Sequence, residues 1–194
     1  MYIPKSFNVT DKEEIISFIK SNSFGQLISL VDGKIFSSHI PFLYSDKNQS
    51  LLCHLAKNNP QWPELEAQEI LVTFQGPHDY VSPSWYASPG VPTWNYQSVH
   101  VYGKAKVTTE KEKLCSIVNE MTKLYESAFE QPWQPEYKES LLNAIVGIEI
   151  EITDIQCKYK LSQNRPKEDR VHIIEEHKKR GSEKLSKATK NSVY

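Results

Sequence analysis

Between residues 91 and 103 the chain reads VPTWNYQSVHVYG. Trp94, Asn95 and Tyr96 stand at the mouth of a strand-like run directly behind Pro92, and His100 and Tyr102 follow. A packed core needs only aliphatic residues here. Rings and an amide concentrated at a strand end suit another task, which is to hold a flat ligand that is apolar on its faces and polar at its edge. Two further stretches carry matching chemistry. HLAKNNPQW, residues 54–62, offers Lys57, Asn58 and Asn59 just past a strand. KYKLSQNRP, residues 158–166, offers Lys160, Ser162, Gln163 and Asn164 at another strand end.

A flavin mononucleotide (FMN) makes the demands that these residues meet. Its ring needs aromatic or aliphatic walls, its pyrimidine edge pairs with an amide and is polarised by a lysine, and its phosphate needs cations, hydroxyls or amides. Each residue also has an ordinary structural use. A lone Trp or Tyr plugs a barrel end, Asn58-Asn59 before Pro60 makes a turn, and His39, His54 and His100 serve as hydrogen-bonded structural residues. The ligand reading rests on the set. Other chemistries lack their signatures: the sequence holds no P-loop, GxGxxG, HExxH or GxSxG pattern.

These residues need elements to position them. Thr10 and Glu13, or Asp11 and Glu14, have capping-box spacing ahead of Ile15, Ile16 and Ile19, which predicts a helix over residues 11–22. FGQLISLV and KIFSSHIPFLY flank Asp32-Gly33, a hairpin turn. LLCHLA and ILVTFQG read as two more strands. Pro77, Pro83, Pro89 and Pro92 predict a long irregular loop over residues 76–93. A fifth strand spans about 94–108. Thr109 and Glu112 have capping-box spacing before a helix with Leu114, Ile117, Met121 and Leu124 on one side. A short helix follows Pro135.

In the last strand the apolar phase moves from Ile148, Ile150 and Ile152 to Ile155, Cys157, Tyr159 and Leu161, as an extra residue near Thr153-Asp154 would produce. A charged helix follows at about 167–180. Six strands joined mostly without helices predict an α+β fold, mainly β: an antiparallel split β-barrel with flanking helices. The expected division is a barrel domain at 1–166 and, at 167–194, the helix with a basic, flexible tail.

The 194 residues, 39% hydrophobic and 24% charged, suit an ordinary globular domain. A net charge of −1 gives no general attraction to nucleic acid, and no helix-turn-helix is legible. Cys53, Cys115 and Cys157 are odd in number and form no CxxC pair, which argues for reduced thiols in the cytoplasm and against zinc or any other metal. The amino terminus lacks a signal-like apolar region, and no run of about 18 apolar residues occurs, so no membrane span is expected.

NSFGQLIS, SSHIPFL, HLAKNNPQW, VTFQGPHDYVSPSWY, VPTWNYQSVHVYGKA and KLSQNRP, in this order, resemble the PaiB family. The resemblance runs from the first residue to about residue 180. It implies a split β-barrel that binds FMN as a homodimer, with cofactor sites at the subunit interface. It also implies a negative transcriptional regulator associated with sporulation and protease genes. By resemblance His39, His54, Lys57, Asn58, Asn59, Trp94, Asn95, Tyr96, Lys160, Ser162 and Gln163 border the flavin. Related barrels include flavin reductases and oxidases, so an FMN-dependent oxidoreductase is the alternative. A haem-binding or haem-degrading protein is a further one; it needs an axial ligand, and no spacing singles out His39, His100, His172 or His177.

Overall fold

The computed structural model describes residues 1–135 and 138–192. Among the described residues eight strands, β1 (Asn8–Val9), β2 (Phe24–Val31), β3 (Lys34–Pro41), β4 (Leu43–Ser45), β5 (Ser50–Ala56), β6 (Glu69–Val81), β7 (Thr93–Thr108) and β8 (Ile145–Lys160), are joined with four α-helices. The helices are α1 (Lys12–Ser21), α2 (Lys111–Glu126), α3 (Lys167–Lys179) and α4 (Glu183–Asn191). The strands hydrogen-bond in the order β3-β2-β6-β7-β8-β5-β4, with β1 on β8. The pairings of β1 with β8, β2 with β3 and β6, and β5 with β4 and β8 are antiparallel.

The chain divides into two compact units. One comprises Met1–Phe18, Gln75–Val99 and Gln156–Tyr194; the other comprises Ile19–Phe74 and His100–Ile155. In the second unit Asp32 and Gly33 both take positive φ (50° and 71°), the combination a two-residue hairpin turn requires, and Val31 pairs with Lys34 across it. The alternation of β5 buries Leu51, Cys53 and Leu55. Phe42 and Phe74 meet edge to face with centroids 5.4 Å apart. Helix α2 buries Leu114, Ile117 and Met121. A Cβ at Gly147 would come within 3.1 Å of Ile117 and Leu114, so glycine lets that helix sit close.

In the first unit Phe18 packs on Tyr159, centroids 5.5 Å apart, and Val81, Leu161, Ile173 and Leu185 are buried. At the end of α3 the amides of Gly181 and Ser182 donate to the carbonyls of Lys178 and His177 (3.1 and 2.9 Å). Gly181 adopts φ +80°. This is the 5→2, 6→1 bonding of a Schellman turn, and it folds α4 back so that Ser186 Oγ donates to the Ile174 carbonyl (2.8 Å).

Several sequence expectations are corrected. Residues 76–81 continue β6 rather than opening a loop, since a single proline, Pro77, removes only one donor from a ladder. Thr109 and Glu112 form no capping box; Thr108 Oγ1 accepts from the Glu110 amide (3.2 Å) and α2 starts without a side-chain cap. At α1 the Asp11 alternative is the one realised, with Oδ1 accepting from the Glu14 amide (2.8 Å). Glu183–Asn191 of the expected flexible tail is helical and buries Leu185, Ser186 and Thr189. The helix expected after Pro135 would begin on residues outside the described ones; a 3-10 turn occupies Glu139–Ala144. β8 is continuous through Thr153-Asp154, and its buried face does change phase, from Val146, Ile148 and Ile150 to Cys157, Tyr159 and Leu161. The change coincides with an exchange of partner, from β5 up to Glu151 to β1 at Cys157 and Lys158.

Candidate functional site

In the first unit the opening of β7 meets the end of β8. Lys160 Nζ donates to the Trp94 carbonyl (2.8 Å) and to Thr93 Oγ1. Its pKa is lowered, first by burial and then by the neighbouring Lys158. Lys158 lies two residues back on the same strand face; its Nζ donates to the Tyr2 carbonyl (3.1 Å) and sits 5.3 Å from the Tyr96 ring centroid. Trp94 is 53% exposed, with His78 and Tyr80 ring centroids at 6.5 and 6.1 Å. Its open indole face can take a flat ring.

Behind Trp94 the amide of Asn95 is fully buried. Its Oδ1 accepts from the Ser162 hydroxyl (2.9 Å), and its Nδ2 has no hydrogen-bond partner. Ser162 holds φ +64°, a left-handed conformation that L side chains rarely adopt. Gln163 stabilises that turn by folding back on its own strand: Oε1 accepts from the Leu161 amide (2.7 Å) and Nε2 donates to the Tyr159 carbonyl (2.6 Å). Both ends of this amide are thus engaged on main chain.

The segment from Ser82 to Pro92 is held as a strap. Asp169, buried near the start of α3, accepts from the amides of Ala87 and Ser88 (2.8 and 3.3 Å), from the Ser88 hydroxyl (2.7 Å) and from Arg165 (2.6 Å). Burial alone would raise its pKa, but these bonds outweigh it and hold the carboxyl below its ordinary value. The Arg165 guanidinium lies 4.0 Å from the Tyr86 ring centroid. A Cβ at Gly90 would strike that ring at 2.3 Å, so only glycine lets the strap pass. Arg165 and Tyr86 belong to motifs that carry the family resemblance but give neither a role; Lys158 and Asp169 have no local signal beyond the two-residue spacing of Lys158 and Lys160.

Elsewhere in this unit Asp79 accepts from Ser182 Oγ (2.6 Å), with His177 Nδ1 and Arg180 Nε each at 3.7 Å. His177 is fully buried, edge-on to Trp85 at 5.6 Å, and burial lowers its pKa against the pull of Asp79.

In the second unit the turn after β5 exposes the side chains of Lys57 and Asn58. Asn59 is committed to structure: its Oδ1 accepts from the Gln61 amide (2.9 Å), an Asx turn, and its Nδ2 donates to Ser38 Oγ (2.9 Å). Gln61 is buried and donates to the Leu27 carbonyl and Ser29 Oγ (3.0 and 2.9 Å). His39 is exposed on β3, next to Ser38. His54 is half-buried on β5; its Nδ1 lacks a partner, and burial lowers its pKa. A cavity of about 950 Å³ in this unit, lined by Tyr44, Asp46, Lys106, Glu110, Lys113 and Glu149 among others, contains none of the residues assigned from sequence. Its four lysines are matched by four carboxylates, with Lys113 3.0 Å from Glu110, so it presents no net charge to a phosphate.

Among the described residues no cluster of His, Cys, Asp or Glu is placed to hold a metal ion, and no helix is long and apolar enough to cross a membrane.

Residues 1–154 match the family model described as "Putative FMN-binding domain". The chain is 45% identical, over 91% of its length and 88% of the relative's, to the "Protease synthase and sporulation protein PAI 2" of Bacillus subtilis. It is 32% identical to an uncharacterised protein of Aspergillus fumigatus, covering 86% of each chain. Among solved structures it is similar to the flavocytochrome Anf3 of Azotobacter vinelandii (TM-score 0.70, 14% identity, 88% of this chain and 78% of that one). It is also similar to an FAD and haem binding protein of Mycobacterium smegmatis (TM-score 0.61, 14% identity, 78% and 72%). These likenesses carry the fold, a mostly antiparallel, split-barrel type of sheet with helices. The identity and the domain match together place the chain in the PaiB family, among the proteins that carry an FMN-binding domain.

Proposed function

We propose that the chain binds FMN and serves as a regulatory flavoprotein. It would act as a homodimer with its cofactor sites at the subunit interface, as a negative regulator of transcription in sporulation and protease control. The observation that carries the flavin reading is the junction of β7 and β8. There an open indole face (Trp94), a buried amide with an unpartnered donor (Asn95) and an ammonium (Lys160) come together where β7 opens and β8 ends. The indole fits a flavin's ring, the amide and ammonium fit a polar group of the same molecule, and a bound flavin would supply electron-transfer chemistry there. The contacts we assign in this unit are Trp94, Asn95, Tyr96, Lys160, Ser162 and Gln163, the last through the turn that it braces. In the other unit we assign His39, His54, Lys57 and Asn58, with Asn59 contributing through the turn that carries Lys57 and Asn58, both exposed.

The regulatory reading is supported by the printed name of the Bacillus relative. With a net charge of −1, phosphate contacts to DNA would come from a local basic face; Lys184, Lys187 and Lys190 are exposed on α4. Denaturing the purified protein and identifying any released chromophore tests the cofactor. FMN is expected, and a chain that releases no flavin and takes up none on titration defeats the reading. A gel shift that weakens steeply with salt supports the regulator. Rapid oxidation of a nicotinamide cofactor on adding flavin, without a gel shift, supports an oxidoreductase instead.

A further inference from the structure

The strap, β7 and the β8 end enclose a small cavity of about 130 Å³, lined by Tyr86, Thr93, Asn95, Lys160, Ser162 and Arg165 among others. It is far below the roughly 300–1,000 Å³ of pockets that bury a whole drug-sized ligand, and has room for about four waters at about 30 Å³ each. Its chemistry is one-sided. Asn95 Nδ2 and Arg165 Nε are buried donors without partners. Lys160 uses two of its three donors on Thr93 and Trp94, and no carboxylate lies within ion-pair distance of it among the described residues. Arg165 is balanced by Asp169, which leaves the Lys160 charge uncompensated. Buried donors left unsatisfied are disfavoured unless something accepts from them.

We propose that this cavity is a binding site for one compact oxyanion, the phosphate or carboxylate group of a small molecule. Asn95 Nδ2, Arg165 Nε and the remaining Lys160 proton are its donors. The Ser162 turn and the strap give the pocket a fixed size, so it takes the head group and leaves the rest of the molecule outside. The preference for an anion stands on these donors alone. Assigning that anion to a flavin rests on the function proposed above, and a separate phosphorylated or carboxylated co-ligand would meet the same donors.

The test is calorimetric titration of the full chain, freed of any flavin, with inorganic phosphate at constant ionic strength. Saturable binding of one phosphate per chain is expected. Asn95→Asp, which puts a carboxylate where the orphan donor stands, and Lys160→Met should each weaken it at least tenfold, while Lys104→Met, at an exposed position of β7, leaves it unchanged. If Asn95→Asp fails to fold, Lys160→Met at its partly exposed position carries the comparison. Repeating the titration with FMN or riboflavin present separates the sources. Blocking by FMN alone assigns the flavin's own phosphate; blocking by neither assigns a co-ligand. Phosphate binding by a chain that takes up neither flavin sinks the flavin reading and leaves the pocket standing. No saturable phosphate binding, binding untouched by both variants, or blocking by riboflavin overturns the proposal.

Discussion

The ammonium of Lys160 donates to the main-chain carbonyl of Trp94 at 2.8 Å, tying the last residue of β8 to the second residue of β7. One side chain therefore fixes where the indole is presented and keeps a positive charge beside it. Lys160→Met retains the length and removes the donor. We expect FMN affinity to fall by about tenfold or more, the worth of one charge-assisted hydrogen bond. Melting temperature should change by only a few degrees because the side chain is partly exposed. Flavin fluorescence titration and a thermal melt check both.

Asp169 is the anchor of the strap, and Asp169→Asn preserves its shape while removing the charge that faces Arg165. Breaking a buried ion pair on one side costs about 3 kcal/mol. Denaturant unfolding should show a loss of that order. Limited proteolysis should cut the variant near residues 86–92 faster than the parent.

Burial lowers the pKa of His54, His100 and His177. A histidine depressed in the folded chain stays neutral there while the unfolded chain takes up protons, so stability is full above the unfolded value of about 6.5 and declines as pH falls below it. Melting temperature should therefore drop between about pH 6.5 and 5. His177→Gln should make that drop shallower, and an unchanged slope would show that His177 contributes nothing to it.

Gly181 holds φ +80° with open space where a Cβ would project. Gly181→Ala meets no atom, so its whole effect is backbone strain, about 1 kcal/mol. A matched loss in chemical denaturation, with unchanged FMN binding, is expected.

The elements with strong period-two or helical alternation were legible. β2, β3, β5, β7, α1, α2 and α3 lie close to where their patterns and turn residues put them. Helix α4 was not, because its buried side consists of Leu185 with the small Ser186 and Thr189, and the lysines around them read as a solvated end. Pro77 concealed six residues of β6 because a proline rule cannot say which way a strand's nitrogen points. At the site the residue types were readable and their duties were not. Asn59 turned out to be a turn-former and Gln163 a brace, while Arg165 and Asp169 hold the strap through contacts spanning some 80 residues of sequence. Nothing local announces contacts that distant.

Ser162 sits where glycine would be more comfortable, and its hydroxyl is what meets Asn95. Ser162→Gly would relax the turn and free the amide at once, so under the binding role proposed for that amide, engineering this position for ruggedness works against ligand recognition. A screen for heat tolerance alone would select the wrong residue there, and only one that scores occupancy alongside would keep the serine.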